Sequence, residues 1–183
     1  EVHGFRDRLE PGQDTPLSVH AIGPDPRHRV LPWSAGEWRS SRPEVVEMRG
    51  AVAHALQPGE ATVSVRFEGL EASWLLTVSA PPTLSFEVVA PNDTPANARL
   101  YIAGSHPVLG EWQPDGLALE RGDDGHWRAQ VVLPRGAGIE AKVTRGDWSS
   151  VEVAADGSER ANRAFQLEAD EVWRIEVARW ADQ

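Results

Sequence analysis

The sequence predicts an all-β protein built from two tandem sandwich domains, and three observations lead to this prediction. Apolar and polar residues alternate with a period of two in short runs, as they do in strands that bury one face. The 16 glycines and 14 prolines are spread along all 183 residues, as expected where many short strands need many turns. No amphipathic stretch of helical period is longer than about two turns.

The alternating runs place strands in both halves of the chain. In the first half the predicted strands are 15–22, 45–48, 52–56, 61–68 and 72–78. In the second half they are 84–90, 98–103, 127–133, 139–145, 164–168 and 172–178. Because these runs are short and are punctuated by glycine, proline, aspartate and asparagine, the strands are expected to form β-sandwiches.

The boundary between the domains is predicted at Pro81-Pro82. Neither proline can donate to a sheet, and two in succession hold an extended path, so the pair makes a short, stiff spacer. The strand-like run WLLTV ends before the pair, and the run LSFEV begins after it. The sequence therefore divides into a domain over 1–80 and a domain over 83–183.

Charge and hydropathy exclude several kinds of partner. The formal net charge is −10, and the arginines are scattered singly rather than gathered into a basic stripe. Nucleic acids and anionic membranes both require such a stripe, so neither is expected as a partner. No run of 18 or more apolar residues exists, so membrane insertion is not expected either. A neutral ligand fits this charge balance.

No motif for catalysis or metal binding is present in the sequence. There is no cysteine, and the six histidines lack the spacing of metal ligands. The acidic pair Asp123-Asp124 precedes Gly125 and is better interpreted as a hairpin turn than as half of a glycosidase site. No nucleophile elbow, phosphate loop or dinucleotide fingerprint occurs. We therefore predict no catalytic residues, no metal and no cofactor.

The first half carries three motifs in order: WRSSRPEVV at 38–46, LQPGEATVSV at 56–65 and ASWLLTV at 72–78. Together they resemble the group 2 bacterial immunoglobulin-like domains. Trp38 and Trp74 are expected to fill the space between two sheets, as buried aromatics commonly do in sandwiches. The resemblance implies a spacer or adhesion module of an extracellular or envelope protein.

The second half carries an ordered set of motifs over nearly its whole length. They are LYIAGS at 100–105, LGEW at 109–112, WRAQVVLPRG at 127–136, EAKV at 140–143, and VE at 151–152 followed by NR at 162–163. This order resembles the starch-binding domains of carbohydrate-binding module family 20. The resemblance implies a non-catalytic sandwich that binds polysaccharide or oligosaccharide.

The resemblance also implies which residues bind the sugar. The glucan site of the family is built from an indole, a lysine and an asparagine, which here correspond to Trp112, Lys142 and Asn162. A flat indole stacks on the apolar face of a glucose ring, while the lysine and asparagine donate to its hydroxyls. The carboxylate of Glu152 is expected to accept from a hydroxyl or to hold the lysine in place.

Lys142 is also distinguished by composition, because it is the only lysine among the 18 basic residues. An arginine is planar and bulkier and does not present the same compact donor. A lysine whose stem lies along a strand edge while its ammonium reaches water is the alternative interpretation.

The chain departs from the family pattern at two places. Val151 stands where the family has a second stacking tryptophan, and Trp148, three residues earlier, is the candidate to replace it. The second glucan site of the family depends on loop tyrosines, but Tyr101 is the only tyrosine of the chain and belongs to a strand. We therefore predict at most one sugar site. Trp127, Trp173 and Trp180 are expected to be structural.

Three functional hypotheses follow from these features. The first is an accessory module that binds α-glucan or a similar sugar and holds an attached catalytic domain or a surface near polysaccharide. The second is a structural or protein-interaction component of a cell-envelope or surface assembly, in contact with other envelope proteins. The third is a fragment of a larger hydrolase, which fits a chain that begins at Glu1 rather than at methionine. All three place the protein outside the cell or in its envelope.

Overall fold

The computed structural model describes residues 6–18, 20–21, 29–30 and 36–183. Nearly all regular structure in these residues is β. The strands are β1 (Arg8–Leu9), β2 (Asp14–Pro16), β3 (His20–Ala21), β4 (Arg29–Val30), β5 (Glu37–Ser40), β6 (Val46–Arg49), β7 (Val52–Ala55), β8 (Gly59–Phe67), β9 (Leu70–Val78), β10 (Thr83–Val89), β11 (Tyr101–Gly104), β12 (Leu117–Ala118), β13 (Glu120–Arg121), β14 (Trp127–Val132), β15 (Ala137–Thr144), β16 (Glu152–Val153), β17 (Arg163–Leu167), β18 (Glu171–Glu176) and β19 (Arg179–Trp180). Short 3-10 helices lie at Pro107–Leu109 and Trp148–Ser150.

Two compact units divide the chain, Glu1–Pro81 and Pro82–Gln183. The predicted all-β class is confirmed. Among the described residues, the helical segments are too short and too polar for any of them to cross a bilayer.

The first unit is built around the long β8–β9 hairpin. One sheet has the order β1-β9-β8-β5, a second has the order β2-β7-β6, and β3 and β4 form a separate ribbon. Residues Val45, Val63 and Leu76 are fully buried between the sheets. Trp38 and Trp74 pack against this core as half-buried residues, and their rings meet edge to face with centroids 5.8 Å apart. Both tryptophans therefore take part in packing as expected, but they lie against the core rather than fully within it.

The second unit is a sandwich of two four-stranded sheets, with orders β13-β14-β10-β18 and β12-β11-β15-β17. Alternate residues of β10 and β15 point into one shared core, which is the expected consequence of the period-two pattern. Trp127 is buried in this core, Trp180 is fully buried, and Trp173 stacks on Phe165 at its margin. The structural roles expected for these three tryptophans are confirmed.

Most predicted strands agree with the structure within two or three residues. The predicted strand 15–22 is interrupted, because β2 ends at Pro16 and β3 comprises only 20–21, while positions 19 and 22 lie outside the described residues. The sequence did not predict β5, whose Glu-Trp-Arg-Ser run has a single apolar residue. The two-residue strands β1, β4, β12, β13, β16 and β19 also carry too short a pattern to be recognised.

Candidate functional site

The outer face of β15 carries the lysine that the sequence singles out. Ala141 and Val143 belong to the core, so Lys142 between them points to the opposite side of the sheet. On one neighbouring strand, Ala103 lies directly opposite Lys142. On the other, Ala141 pairs with Arg163, and continuing that register brings Asn162 next to Lys142. Two of the predicted sugar-binding residues are thus neighbours across two chain segments.

The loop that carries Trp112 folds over this same side of the sheet. The backbone N–H of Trp112 donates to the carbonyl of Gly104, the last residue of β11, at 2.8 Å. Thr144, which shares the face of Lys142, donates its hydroxyl to the carbonyl of Pro114. Thr144 and Ala103 are both fully buried although they point away from the core. The loop therefore covers part of the outer face and brings Trp112, itself half-buried, to the side of the sheet that holds Lys142.

Two consecutive residues of that loop adopt the left-handed backbone conformation, Glu111 with φ +48° and Trp112 with φ +67°. Gly110, just before them, is also left-handed and ends the 3-10 helix Pro107–Leu109. Non-glycine residues rarely adopt this conformation, so the loop is shaped by its surroundings rather than by local preference.

The Lys142 side chain is only 12% exposed, and its ammonium lies 3.5 Å from a carboxylate oxygen of Glu159. Glu159 itself is 90% exposed. The aliphatic stem is therefore covered, while the charged end reaches the surface next to a solvent-exposed partner. Because an exposed pair of this kind contributes little to stability, the ammonium is available to a competing oxygen acceptor.

Trp148 opens the 3-10 helix that follows β15, and its side chain is 41% exposed. The carboxylate of Asp147 caps this helix by accepting from the backbone N–H of Ser149 at 2.8 Å. The same hydrogen bond lowers the pKa of Asp147. A capped turn thus fixes the backbone beneath an exposed indole.

Asn162 is exposed, and its side-chain amide donates to the carboxylate of Glu140 at 3.1 Å. Glu140 lies two residues before Lys142 on β15 and faces outward like it. The amide is therefore held in place by an exposed acid and not by the core.

The ligand-binding role expected for Glu152 requires a correction, because the structure buries this residue away from any ligand. Its carboxylate is buried, with the residue 1% exposed. Arg163 donates to both of its oxygens at 2.8–3.0 Å, and the backbone N–H of Val143 donates at 3.0 Å. Arg160 also lies 3.7 Å from the carboxylate, whereas the ammonium of Lys142 pairs with Glu159 instead. Glu152 neither faces solvent for a hydroxyl nor holds the lysine, so its role is structural.

Arg163 is the residue that sequence reasoning missed. It pairs with Ala141 and therefore shares the core side of the sheet, where its side chain is 14% exposed. Besides Glu152, its guanidinium donates to the carbonyl of Glu176 at 2.7 Å. The ion pair therefore ties β15, β16, β17 and the end of β18 together. The sequence did contain a signal for this ion pair, since Glu152 and Arg163 both belong to the motif that suggested a ligand site.

One cluster on the other sheet has the composition of a metal site. Ligand atoms of Glu87, Asp124 and His126 lie within 4.8 Å of one another. The guanidinium of Arg128 already lies among them, 2.7 Å from Glu87 and 2.6 Å from Asp124. An arginine cannot be deprotonated to make way for a cation, so this cluster is an ion-pair network. Asp124 also accepts from the backbone N–H of His126, as expected for the predicted hairpin turn.

Within this network the hydrogen bonds from Arg128 hold the pKa of Asp124 well below its usual range. A carboxyl with a lowered folded-state pKa stabilises the fold above its unfolded pKa, and this stabilisation is lost as the pH falls through the folded-state value. We expect Arg128→Met to raise the pKa of Asp124 toward its ordinary value. The side-chain carboxyl ¹³C shift of Asp124, followed by NMR from pH 7 to 2, measures it. An Asp124 that titrates at its ordinary pKa in the unmodified protein contradicts the interpretation.

Comparison with known proteins finds a family to which the second unit is similar. A family model described as a starch binding domain matches residues 82–174. An alpha-amylase from Niallia circulans is 36% identical over 102 residues, which are 55% of this chain and 8% of that protein. The chain thus spans less than a tenth of the length of this curated relative. The matched family segment does not include residues 1–81, so the immunoglobulin-like resemblance of the first unit stays a prediction.

Two of the similar solved structures each cover just over half of this chain. A glucoamylase from Hypocrea jecorina is 17% identical, covering 57% of this chain and 20% of its own, with a TM-score of 0.43. The family 20 carbohydrate-binding module of the maltotetraose-forming amylase from Pseudomonas saccharophila is 20% identical, covering 51% of this chain and 98% of its own, with a TM-score of 0.38.

Proposed function

Since the chain belongs to the starch-binding domain family, we propose that its second unit binds α-glucan through a surface that we call the glucan face. The glucan face comprises Trp112, Lys142, Trp148 and Asn162. One observation carries this proposal. Asn162 donates to Glu140, the outward-facing residue of β15 next to Lys142, and the loop of Trp112 folds over that same face.

The chemistry of the glucan face suits a neutral sugar. An indole offers its apolar plane to the C–H face of a pyranose ring, and the ammonium and amide donate to ring hydroxyls. The ammonium of Lys142 exchanges the exposed carboxylate of Glu159 for a hydroxyl at small cost. Because the surface is open and buries little area, we expect weak binding, with a Kd of roughly tens of micromolar to millimolar.

The wider role that fits this surface is that of an accessory module without catalysis of its own. The similarity to a segment of an alpha-amylase supports attachment to a starch-degrading catalytic domain, and therefore an extracellular location. The first unit would then act as an immunoglobulin-like spacer. Contact with other envelope proteins is the alternative role for that unit, for which Leu70 and Leu75 offer exposed apolar surface on β9.

Affinity electrophoresis of the full chain tests the proposal. Native gels containing amylopectin or glycogen should retard the protein relative to a gel without polysaccharide, whereas a gel containing a β-linked glucan should not. Equal mobility in all of these gels would remove the proposed function. Retardation in every gel, β-linked glucan included, would contradict selectivity for α-glucan.

Substitution of the lysine should separate a sugar ligand from a simple surface cation. We expect Lys142→Ala to weaken binding to maltoheptaose by about 10- to 150-fold, because one charge-assisted hydrogen bond of about 1.5–3 kcal/mol is lost. Lys142→Arg should not restore the affinity. The lysine side chain is only 12% exposed, so its surroundings do not accommodate a planar guanidinium in its place. Isothermal titration calorimetry measures both.

The matched control for the lysine substitutions is a change at Glu159, the ion-pair partner of Lys142. Glu159→Gln removes the carboxylate next to the ammonium but leaves the lysine in place, so the Kd should stay within about threefold of the unmodified value. Full affinity in Lys142→Arg, or a loss in Glu159→Gln as large as that in Lys142→Ala, would contradict direct contact of the ammonium with the sugar.

A further inference from the structure

An open groove lies on the outer face of the sheet beside the glucan face. Its volume is about 590 Å³, and its lining includes Gly138, Glu140, Ala164, Gln166 and Ser105. Ligand sites in proteins commonly have volumes of roughly 300–1,000 Å³, so the groove has the size of a binding site. Sequence motifs do not mark it, because its floor consists of residues with little or no side chain.

The register of two strands explains how the groove forms. Gly138 lies opposite Gln166, and Glu140 lies opposite Ala164, where β15 pairs with β17. All four point to the same outer face as Lys142, because they stand at even intervals from it along the strands. The glycine and the alanine leave the space open, and a Cβ built at Gly138 meets nothing within 4 Å.

The groove is continuous with the glucan face. Continuing the register places Lys142 and Asn162 next after the pair of Glu140 and Ala164. The amide of Asn162 donates to Glu140, so one hydrogen bond joins a residue of the glucan face to a residue of the groove. From Gly138 to Lys142 the strand extends about 13 Å, which is longer than one pyranose ring.

We propose that this groove is an additional glucan subsite, which extends the glucan face along β15 and β17 and makes the protein prefer long stretches of α-glucan over di- and trisaccharides. The inference rests on the proposed function and specifies the length of ligand that the site takes.

The residues of the groove suit a polysaccharide chain. The floor at Gly138 and Ala164 admits the ring of a sugar to the backbone and a methyl group, which contact its C–H face. The carboxylate of Glu140 accepts from hydroxyls, and the amide of Gln166 both donates and accepts. Gln166 donates to the exposed Glu168 at 3.2 Å, a contact that a hydroxyl can replace. The groove contains no exposed indole, so its contribution is expected to be smaller than that of Trp112.

The test compares short and long ligands with the groove open and filled. In the full chain, Gly138→Val with Ala164→Val fills the groove with residues that strands favour, at positions where both side chains meet solvent. Calorimetric titration with maltose and with maltoheptaose gives the Kd of each variant. Gln130→Val, at an exposed position of β14 on the other sheet, is the matched control.

We expect the filled variant to bind maltoheptaose about tenfold more weakly than the unmodified protein, while its Kd for maltose changes by less than about twofold. A longer oligosaccharide also binds more tightly because it can bind in more registers, and this effect is the same in the filled variant. Comparing the two proteins with the same oligosaccharide therefore isolates the contribution of the groove. The control should bind both ligands as the unmodified protein does.

Three results would overturn the inference. Unchanged affinity of the filled variant for maltoheptaose would mean that the groove is not occupied. An equal loss for both sugars would mean that the groove is not a separate subsite. If the unmodified protein bound neither sugar, the proposed function itself would fail, and this result is distinguishable from the first two because it does not depend on the variant.

Discussion

Replacing Trp112 with alanine should abolish measurable retention of the protein in amylopectin gels. The indole is the largest apolar surface proposed to contact sugar, and truncation of such an anchor commonly costs about 2 kcal/mol or more, which is about 30-fold in Kd. Starting from an affinity that is already weak, this loss removes detectable retention in the gel. Calorimetric titration with maltoheptaose quantifies the change.

The control for this prediction is the second exposed indole of the glucan face. Trp148→Ala should weaken binding less than Trp112→Ala does, because Trp148 lies three residues before the family position of the second stacking indole. Trp112 is half-buried, so the melting temperature of each variant must show that the second unit remains folded. A folded Trp112→Ala protein with unchanged affinity would contradict the proposed site.

Replacing Glu152 with alanine should strongly destabilise the second unit. The guanidinium of Arg163 and the N–H of Val143 would remain buried without their carboxylate partner. Removing one member of a buried ion pair typically costs about 3–5 kcal/mol. For a domain of about 100 residues this lowers the melting temperature by more than about 10 °C. Differential scanning calorimetry of the full chain measures the shift.

Two further variants show whether burial is the cause. Glu171→Ala removes an exposed carboxylate from β18 and should change the melting temperature by less than about 4 °C. Combining Glu152→Leu with Arg163→Met removes both charges, and the double variant should be more stable than Glu152→Ala, since no unpaired ion is left. A Glu152→Ala protein that melts like the unmodified one would contradict the structural role.

The fold of this protein was largely readable from its sequence, because each long strand repeats a period of two over five residues or more. Strand β8 alternates Ala61, Val63 and Val65 on its buried face, and the predicted and observed strands differ there by two residues or fewer. The short strands β16 and β19 were not readable, since pairing between distant segments creates them and no local pattern does.

The site was only partly readable, for a different reason. The motif order identified Lys142 and Asn162 as candidates, and their proximity follows from a register that the sequence does not state. The same motif order could not show that Glu152 is buried on the core side of the sheet rather than exposed on its outer face. Whether a residue of a sequence motif contacts a ligand or supports the backbone depends on which side of the strand it occupies, and that requires the structure.

The left-handed turn at Glu111 and Trp112 has a consequence for the energetics of recognition. Each such conformation costs roughly 1–3 kcal/mol, and the rest of the domain supplies that energy during folding. The backbone that carries the indole then has little conformational freedom left to lose when a ligand arrives, which lowers the cost of a shallow contact. Relaxing the turn with glycine at position 111 would make folding easier and would give the neighbouring ring more positions in which it cannot bind.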